Sequence, residues 1–343
     1  MDKLPSQDCV ESPGPRTIAV IGSNSFSGSD FIDLLLEDPR NRVVGISRST
    51  EKHKELLPYT RHKRSNFTFH RMDMNTDGDR LIRQLDMLKP DYIVNFAAQS
   101  EVAPSWRHPE HWFQTNVVAL SKLTNALKER DYLKRYVHIS SPEVYGTCEG
   151  RVTETAPLNP STPYAASKAA ADLFLFTLVK NYSFPLVMIR ATNVYGAYQQ
   201  LFKIIPRTII SLKTGNTIQL HGGGTAVKSY IHIRDVSRGE LLAMEKGELG
   251  AIYHFSPEHG IAVKEVVQKL CHVLGKDFER STICVEERLG QDAAYVIDSS
   301  RSRTELGWEP RITLDEGLQR TVDWIARSWP IIAHCPWEYQ HAA

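Results

Sequence analysis

Ser141, Glu143, Tyr164 and Lys168 fall within one stretch, HISSPEVYGTCEGRVTETAPLNPSTPYAASK, running from His138 to Lys168. A phenol and an ammonium four residues apart share one face of a helix, here predicted to start at Ser161-Thr162-Pro163. Glu143 stands just past a short apolar run, Tyr136 to Ile139, that reads as a buried strand. Ligands bind beyond the carboxyl ends of parallel strands. A hydroxyl, a carboxylate, a phenol and an ammonium therefore converge on one crevice, where they could hold and exchange protons. A Tyr-x-x-x-Lys pair by itself is common on solvated helix faces, so its weight depends on the elements around it.

Those elements begin with Thr17 to Ile21 (TIAVI), a β-branched run with the pattern of a buried strand. GSNSFSG follows, from Gly22 to Gly28, then an apolar-striped helix, then a second strand from Arg42 to Ile46. Strand, glycine-bearing turn, helix, strand is the opening unit of a dinucleotide-binding sheet, in which backbone amides face a pyrophosphate. Gly22 and Gly28 serve that turn. Ser25 holds the middle position with Phe26 after it, and its hydroxyl is available to phosphate. After the second strand come Ser47 and Arg48, with no carboxylate before Glu51; an arginine there suits the extra phosphate of NADP and favours it over NAD.

A third strand, Asn66 to Met72, leads to Asp73 and Met74, placed for the adenine end of a cofactor. A fourth, Asp91 to Phe96, runs into Ala97, Ala98, Gln99 and Ser100, small or polar residues against which a dinucleotide can lie. Helices are predicted over His111 to Leu127 and Pro163 to Lys180, the second with more apolar residues than one core-facing stripe needs. Both suit either an intramolecular core or a homodimer interface. Leu186 to Ile189 is another buried strand. Beyond it, short strands and helices alternate irregularly, among them Ser229 to Ile233, Ala251 to Phe255, Val263 to Leu274 and Leu314 to Ile325. The expected fold class is α/β: a Rossmann-type doubly wound parallel sheet with a smaller, discontinuous substrate-binding lobe. Residues 17–190 with part of 229–258 form the first, 191–228 and 259–330 the second. Residues 1–16 read as a flexible tail and 331–343 as a C-terminal tail.

The 343 residues carry a formal charge of +1, which gives no bulk attraction for nucleic acid or an acidic membrane. The run Arg61-His62-Lys63-Arg64 reads as a solvated loop. Five cysteines without close pairing fit a reducing compartment and no structural metal. No apolar run reaches membrane-spanning length, and a cytoplasmic location is expected.

GSNSFSG, NFAAQSEV, SSPEVYG, YAASK, RATNVYG and ELGWEP occur in this order from about Thr17 to Ile325. In order and spacing the chain resembles the extended short-chain dehydrogenase/reductases, and among them the nucleotide-sugar 4,6-dehydratases that act on GDP-mannose and dTDP-glucose. The resemblance implies a retained NAD(P), a sugar-nucleotide substrate and a homodimer or higher homo-oligomer. It implies that Tyr164 takes the C4 hydroxyl proton with help from Ser141, and that Lys168 favours the phenolate and holds the nicotinamide ribose. It implies that Glu143 removes the C5 proton before water leaves C6. It assigns Ser100 and the cations Lys203, Lys228 and Arg288, with Asn193, to the sugar diphosphate. Pro142 departs from the pattern, because dTDP-glucose dehydratases place a proton-donating aspartate there and proline has no proton to give. A 4-epimerase, a 5,6-dehydratase, a UDP-glucuronate decarboxylase and a cofactor-binding protein without catalysis remain as alternatives.

Overall fold

Seven parallel strands place the carboxyl ends of the chain's most apolar segments along one crevice. The computed structural model describes residues 14–63, 65–147, 150–286 and 294–342. The strands are β1 (Arg16–Ile21), β2 (Asn41–Ser47), β3 (Phe67–Arg71), β4 (Tyr92–Asn95), β5 (Arg135–Ile139), β6 (Leu186–Ala191) and the edge strand Ile252–Phe255. Their spatial order is β3-β2-β1-β4-β5-β6 followed by Ile252–Phe255, every pairing parallel. Chain order reverses between β1 and β4, which makes the cleft above them the topological switch point.

Side chains alternate across each strand, and both faces are covered. Ile18, Val20, Val43, Val137 and Val187 pack with Phe31 of α1 (Phe26–Leu35). Ala19, Ile21, Val44, Ile93 and Leu186 point to the other face. There they meet Leu81 of α2 (Gly78–Leu88), and further along the chain Leu123 and Leu175. Between β4 and β5 the chain forms α3 (Val102–Ser105), α4 (Pro109–Phe113) and α5 (Leu120–Leu127). The continuous helix expected over His111 to Leu127 is interrupted: Gln114–Ala119 winds as a π-helix joining α4 to α5. The wider turn lets Asn116 reach the loop after β4. Its amide donates to Gln99 O at 3.0 Å and Ser167 Oγ at 2.9 Å, and its Oδ1 accepts from Gln99 N at 2.8 Å. Local side-chain bonds of this kind carry no periodic signal, and π-turns collect at functional sites.

The long helix α6 (Pro163–Tyr182) starts at Thr162, whose hydroxyl accepts from Ala165 N at 3.1 Å, with Pro163 in the first turn. Past β6, α7 (Ile204–Thr214) and the helices Val263–Val273 and Leu314–Arg327 enclose a second core around Ile205, Ile209, Val266, Leu270, Leu318 and Trp324. Only Tyr230–His232 of the expected strand at Ser229 to Ile233 is extended, paired with Asn193–Tyr195. Its neighbour α8 (Ile233–Lys246) returns to the sheet beside α1, where Arg234 pairs with Asp30 at 3.1 Å and Ser237 donates to Asp30 at 2.8 Å. No helix among the described residues is long and apolar enough to cross a membrane.

Candidate active site

Tyr164 and Lys168 project from the first two turns of α6 against the carboxyl end of β5, and both are buried, at 8% and 2% exposure. Ser141 caps the short 3-10 turn Pro142–Tyr145, its Oγ accepting from Glu143 N at 3.3 Å. The same hydroxyl bonds the Tyr164 side chain. Burial holds the Tyr164 pKa well above its ordinary value; the Glu143 charge pushes it further up and the Ser141 bond pulls it down. The structure thus brings together all four residues that the sequence singled out. Tyr164 N donates to Ser105 Oγ of α3 at 3.2 Å, fixing the start of α6.

Beneath this group lies a buried polar chain. Lys168 Nζ donates to Ile139 O at 2.8 Å and to His138 Nε2 at 3.1 Å, which uses two of its three N–H groups. Burial brings the Lys168 pKa down to about 8, with Asp172 opposing the fall and Arg190 adding to it. Burial, with the Lys168 and Arg190 charges, holds His138 neutral. Asp172 accepts from Ser140 Oγ at 2.6 Å and from Arg190 at 2.7 Å, and the guanidinium also donates to the Tyr145 hydroxyl. Tyr145 donates in turn to His254 Nε2 at 2.8 Å, on the edge strand. The sequence reading missed Asp172, although its position four residues after Lys168 puts it on the same helix face.

The cofactor end of the crevice is a cavity of about 270 Å³ lined by Gly22, Ser25, Arg48, Asp73, Met74, Ala97, Ala98 and Gln99, among others. A Cβ on Gly22 would lie 2.6 Å from Ala97 N, and one on Gly28 would lie 2.5 Å from Gly22 O. Only glycine permits this close approach of two strand ends and a helix. Ser25 caps α1, its Oγ accepting from Gly28 N at 3.0 Å. That fixes the turn and commits its oxygen, while its proton remains for a phosphate. Phe26 is buried and is not among the residues lining the cavity. Asp73 Oδ1 accepts from Asn75 N at 2.8 Å. Asn24 and Lys52 are among the lining residues that went unremarked in the sequence. Asn24 donates to Ser49 O at 3.1 Å and Thr50 O at 2.7 Å, pinning the loop after β2. Lys52 lines the cavity from its exposed side, and crowding by protein lowers its pKa. Glu51 accepts from Tyr59 Oη at 2.9 Å and does not line the cavity.

On the substrate side Lys203 pairs with Glu101 at 2.8 Å, across the crevice from the end of β4. The Glu101 charge also contributes to the raised Tyr164 pKa, so a second carboxylate faces the phenol. Ser100 and Asn193 are exposed, and Lys228 is buried in the strand Val227–Lys228. Arg288 lies outside the described residues. The segment beyond Trp337 runs back to the crevice mouth: Tyr339 meets Phe202 edge-on at 5.4 Å, and Ala342 O accepts from Gln99 Nε2 at 2.6 Å and from Arg48 at 3.3 Å. Nothing in its sequence marked it as part of the site.

A doubly wound sheet with a glycine turn at its switch point and Ser, Tyr and Lys meeting at β5 defines an NAD(P)-dependent short-chain dehydrogenase/reductase of the extended type. The family model described as GDP-mannose 4,6 dehydratase matches residues 20–321. A dTDP-glucose 4,6-dehydratase of Xanthomonas campestris pv. campestris is 33% identical, covering 90% of this chain and 92% of the relative. The solved structure of DesIV, a dTDP-glucose 4,6-dehydratase from Streptomyces venezuelae with NAD bound, has a TM-score of 0.84 and 32% identity, covering 91% of this chain and 98% of that one. UDP-glucuronic acid 4-epimerase from Bacillus cereus, in complex with UDP-glucuronic acid and NAD, has a TM-score of 0.83 and 26% identity, covering 91% and 99%. The chain belongs to the GDP-mannose 4,6-dehydratase family and is an enzyme of the nucleotide-sugar 4,6-dehydratase class.

Proposed function

We propose that this chain oxidises C4 of a nucleoside-diphosphate sugar, eliminates water across C5–C6 and reduces C6, giving a 4-keto-6-deoxy product. The observation that carries the proposal is the meeting of Ser141, Glu143 and Tyr164 at one crevice, with Lys168 buried one turn below the phenol. Gly22, Gly28 and the lining from Arg48 to Gln99 would hold the dinucleotide. Arg48 and Lys52 together, with Glu51 turned to Tyr59, support NADP. A bound nicotinamide supplies the hydride acceptor and donor.

The remaining steps belong to the chain's own side chains. Ser141 orients the sugar oxygen, and Tyr164 takes its proton. The Lys168 ammonium, aimed by Ile139 O and His138, favours the phenolate that this requires. Glu143 takes the C5 proton and returns it to the departing C6 hydroxyl, because buried Pro142 beside it has no proton to donate, and it relays a solvent proton back to C5 as hydride adds at C6. Ser100, Asn193, Lys203, Lys228 and Arg288 would meet the diphosphate. Phe113, Val118 and Leu173 are exposed at 39%, 39% and 60% on the adjoining helical segments, which supports a homodimer through that face. The free thiols among the described cysteines and the balanced charge support a cytoplasmic location.

Incubation with GDP-mannose, dTDP-glucose, UDP-glucose and UDP-glucuronate, followed by mass spectrometry of the products, tests the reaction. Loss of one water from a sugar nucleotide is expected. An isomer of unchanged mass would replace this reading with 4-epimerisation, and loss of carbon dioxide would replace it with decarboxylation.

A further inference from the structure

Beside the crevice mouth, His108, Glu110 and His111 direct one donor atom each into a common space, all within 4.8 Å of one another. His108 Nδ1 lies 3.6 Å and His111 Nε2 lies 3.8 Å from Glu110 Oε1. Tetrahedral zinc with bonds of about 2.0–2.2 Å sets its donors roughly 3.3–3.5 Å apart. Drawing these three side chains onto one ion therefore closes two pairs by a few tenths of an ångström and the third by about 1.5 Å at most. The three are 51%, 66% and 30% exposed, so an ion enters without opening the fold and water completes its coordination.

The other nitrogen of His111 is occupied in a way that matters to a metal ligand. His111 Nδ1 lies 2.8 Å from His341 Nε2, and His341 Nδ1 lies 3.0 Å from Tyr339 Oη. Two sets of neutral tautomers satisfy the chain, and a metal ion would select the one in which His111 Nδ1–H donates to His341 Nε2 and His341 Nδ1–H donates to the tyrosine oxygen. That set leaves the His111 Nε2 lone pair aimed at Glu110, where an ion would lie. The His341 ring also lies parallel to Trp112 at 5.3 Å, and its neighbour Ala342 is the residue that contacts Gln99 and Arg48. A hydrogen-bond partner on the distal nitrogen of a ligating histidine fixes its orientation and strengthens the metal bond.

We propose that His108, Glu110 and His111 form a binding site for one zinc-class divalent ion, and that His341 supports His111 there, so that the ion holds the Tyr339–Ala342 segment against the mouth of the cofactor crevice. The scattered cysteines gave no hint of a metal, because the ligands here are imidazoles and a carboxylate. Two imidazoles select zinc, nickel or copper over magnesium or calcium.

Isothermal titration of the full chain with zinc chloride, in excess magnesium, tests the site. One ion per chain is expected. His111→Ala and Glu110→Gln should each weaken binding at least ten-fold, and His341→Ala, outside the ligand set, by about 10–100-fold with one ion still bound. Circular dichroism of each variant should match the parent, since the three ligands lie at the surface. Hydrogen exchange over residues 333–342 should slow on adding zinc in the parent and not in His341→Ala. Absence of zinc binding, or equal binding in His111→Ala and Glu110→Gln, overturns the site. Zinc binding with unchanged exchange over 333–342 overturns its link to the segment.

Discussion

Lys168 and Asp172, under the crevice, are 2% and 0% exposed and tie β5, α6 and β6 together by hydrogen bonds. Arg48 and Ser100, at its rim, are open to solvent on loops. The floor is a set of buried charges that tolerate no vacancy, because each one compensates another away from water. The rim is a set of exposed groups whose partners water can replace. On the proposed reading, the proton chemistry sits in the first and the choice of nucleotide and sugar in the second, where a change costs little stability.

Replacing Tyr164 by Phe is the sharpest way to break this division. Turnover should fall by roughly 10²–10⁴-fold, with the melting temperature and cofactor binding unchanged. A loss under ten-fold would mean the floor does not perform the proton transfer. Asp172→Ala should cost about 3–5 kcal/mol in urea unfolding, since it strands Arg190 and removes the anion below Lys168. Arg48→Ala at the rim should stay within about 0.5 kcal/mol of the parent while weakening NADP. Equal losses for the two would erase the contrast.

The pH dependence of stability bears on the floor alone. The Lys168 pKa falls from 10.5 to about 8 on folding. Between those values the unfolded chain binds more protons than the folded one, so this group makes stability rise with pH across that window and imposes its full penalty below it. Lys168→Met should remove that rise, measured as the difference in urea midpoint between pH 7.5 and 10 relative to the parent. Gly28→Ala should cost about 1–3 kcal/mol, because its Cβ would meet Gly22 O, and should weaken cofactor binding. Lys203→Ala breaks a pair whose lysine is 36% exposed and should change stability by only about 0.2–1 kcal/mol, with its effect seen in substrate KM.

Local regularities were legible before any coordinates. TIAVI followed by the glycine turn, and Tyr164 with Lys168 four residues on, fix neighbours by short-range geometry, and the sheet and the four crevice residues follow. Asp172 was within reach by the same rule. Arg190 and His254 were not, because only strand order sets β6 and the edge strand beside Tyr145, 45 and 109 residues away in the chain. Lys203 was readable as a cation but not as the partner of Glu101, 102 residues earlier. The path of Tyr339–Ala342 has no local signature either, since it is held by single contacts to separate elements.

The π-helical turn at Gln114–Ala119 acts as a phase shifter in an otherwise ordinary helix. Winding the same six residues as α-helix would add about 100° of rotation and swing everything before them by that much relative to α5. His108, His111 and Trp112 would leave the crevice mouth together, while Leu123 and Leu127 kept their places in the core. The wider winding of that turn thus sets the angular registration between the sheet's outer layer and the mouth of its cleft.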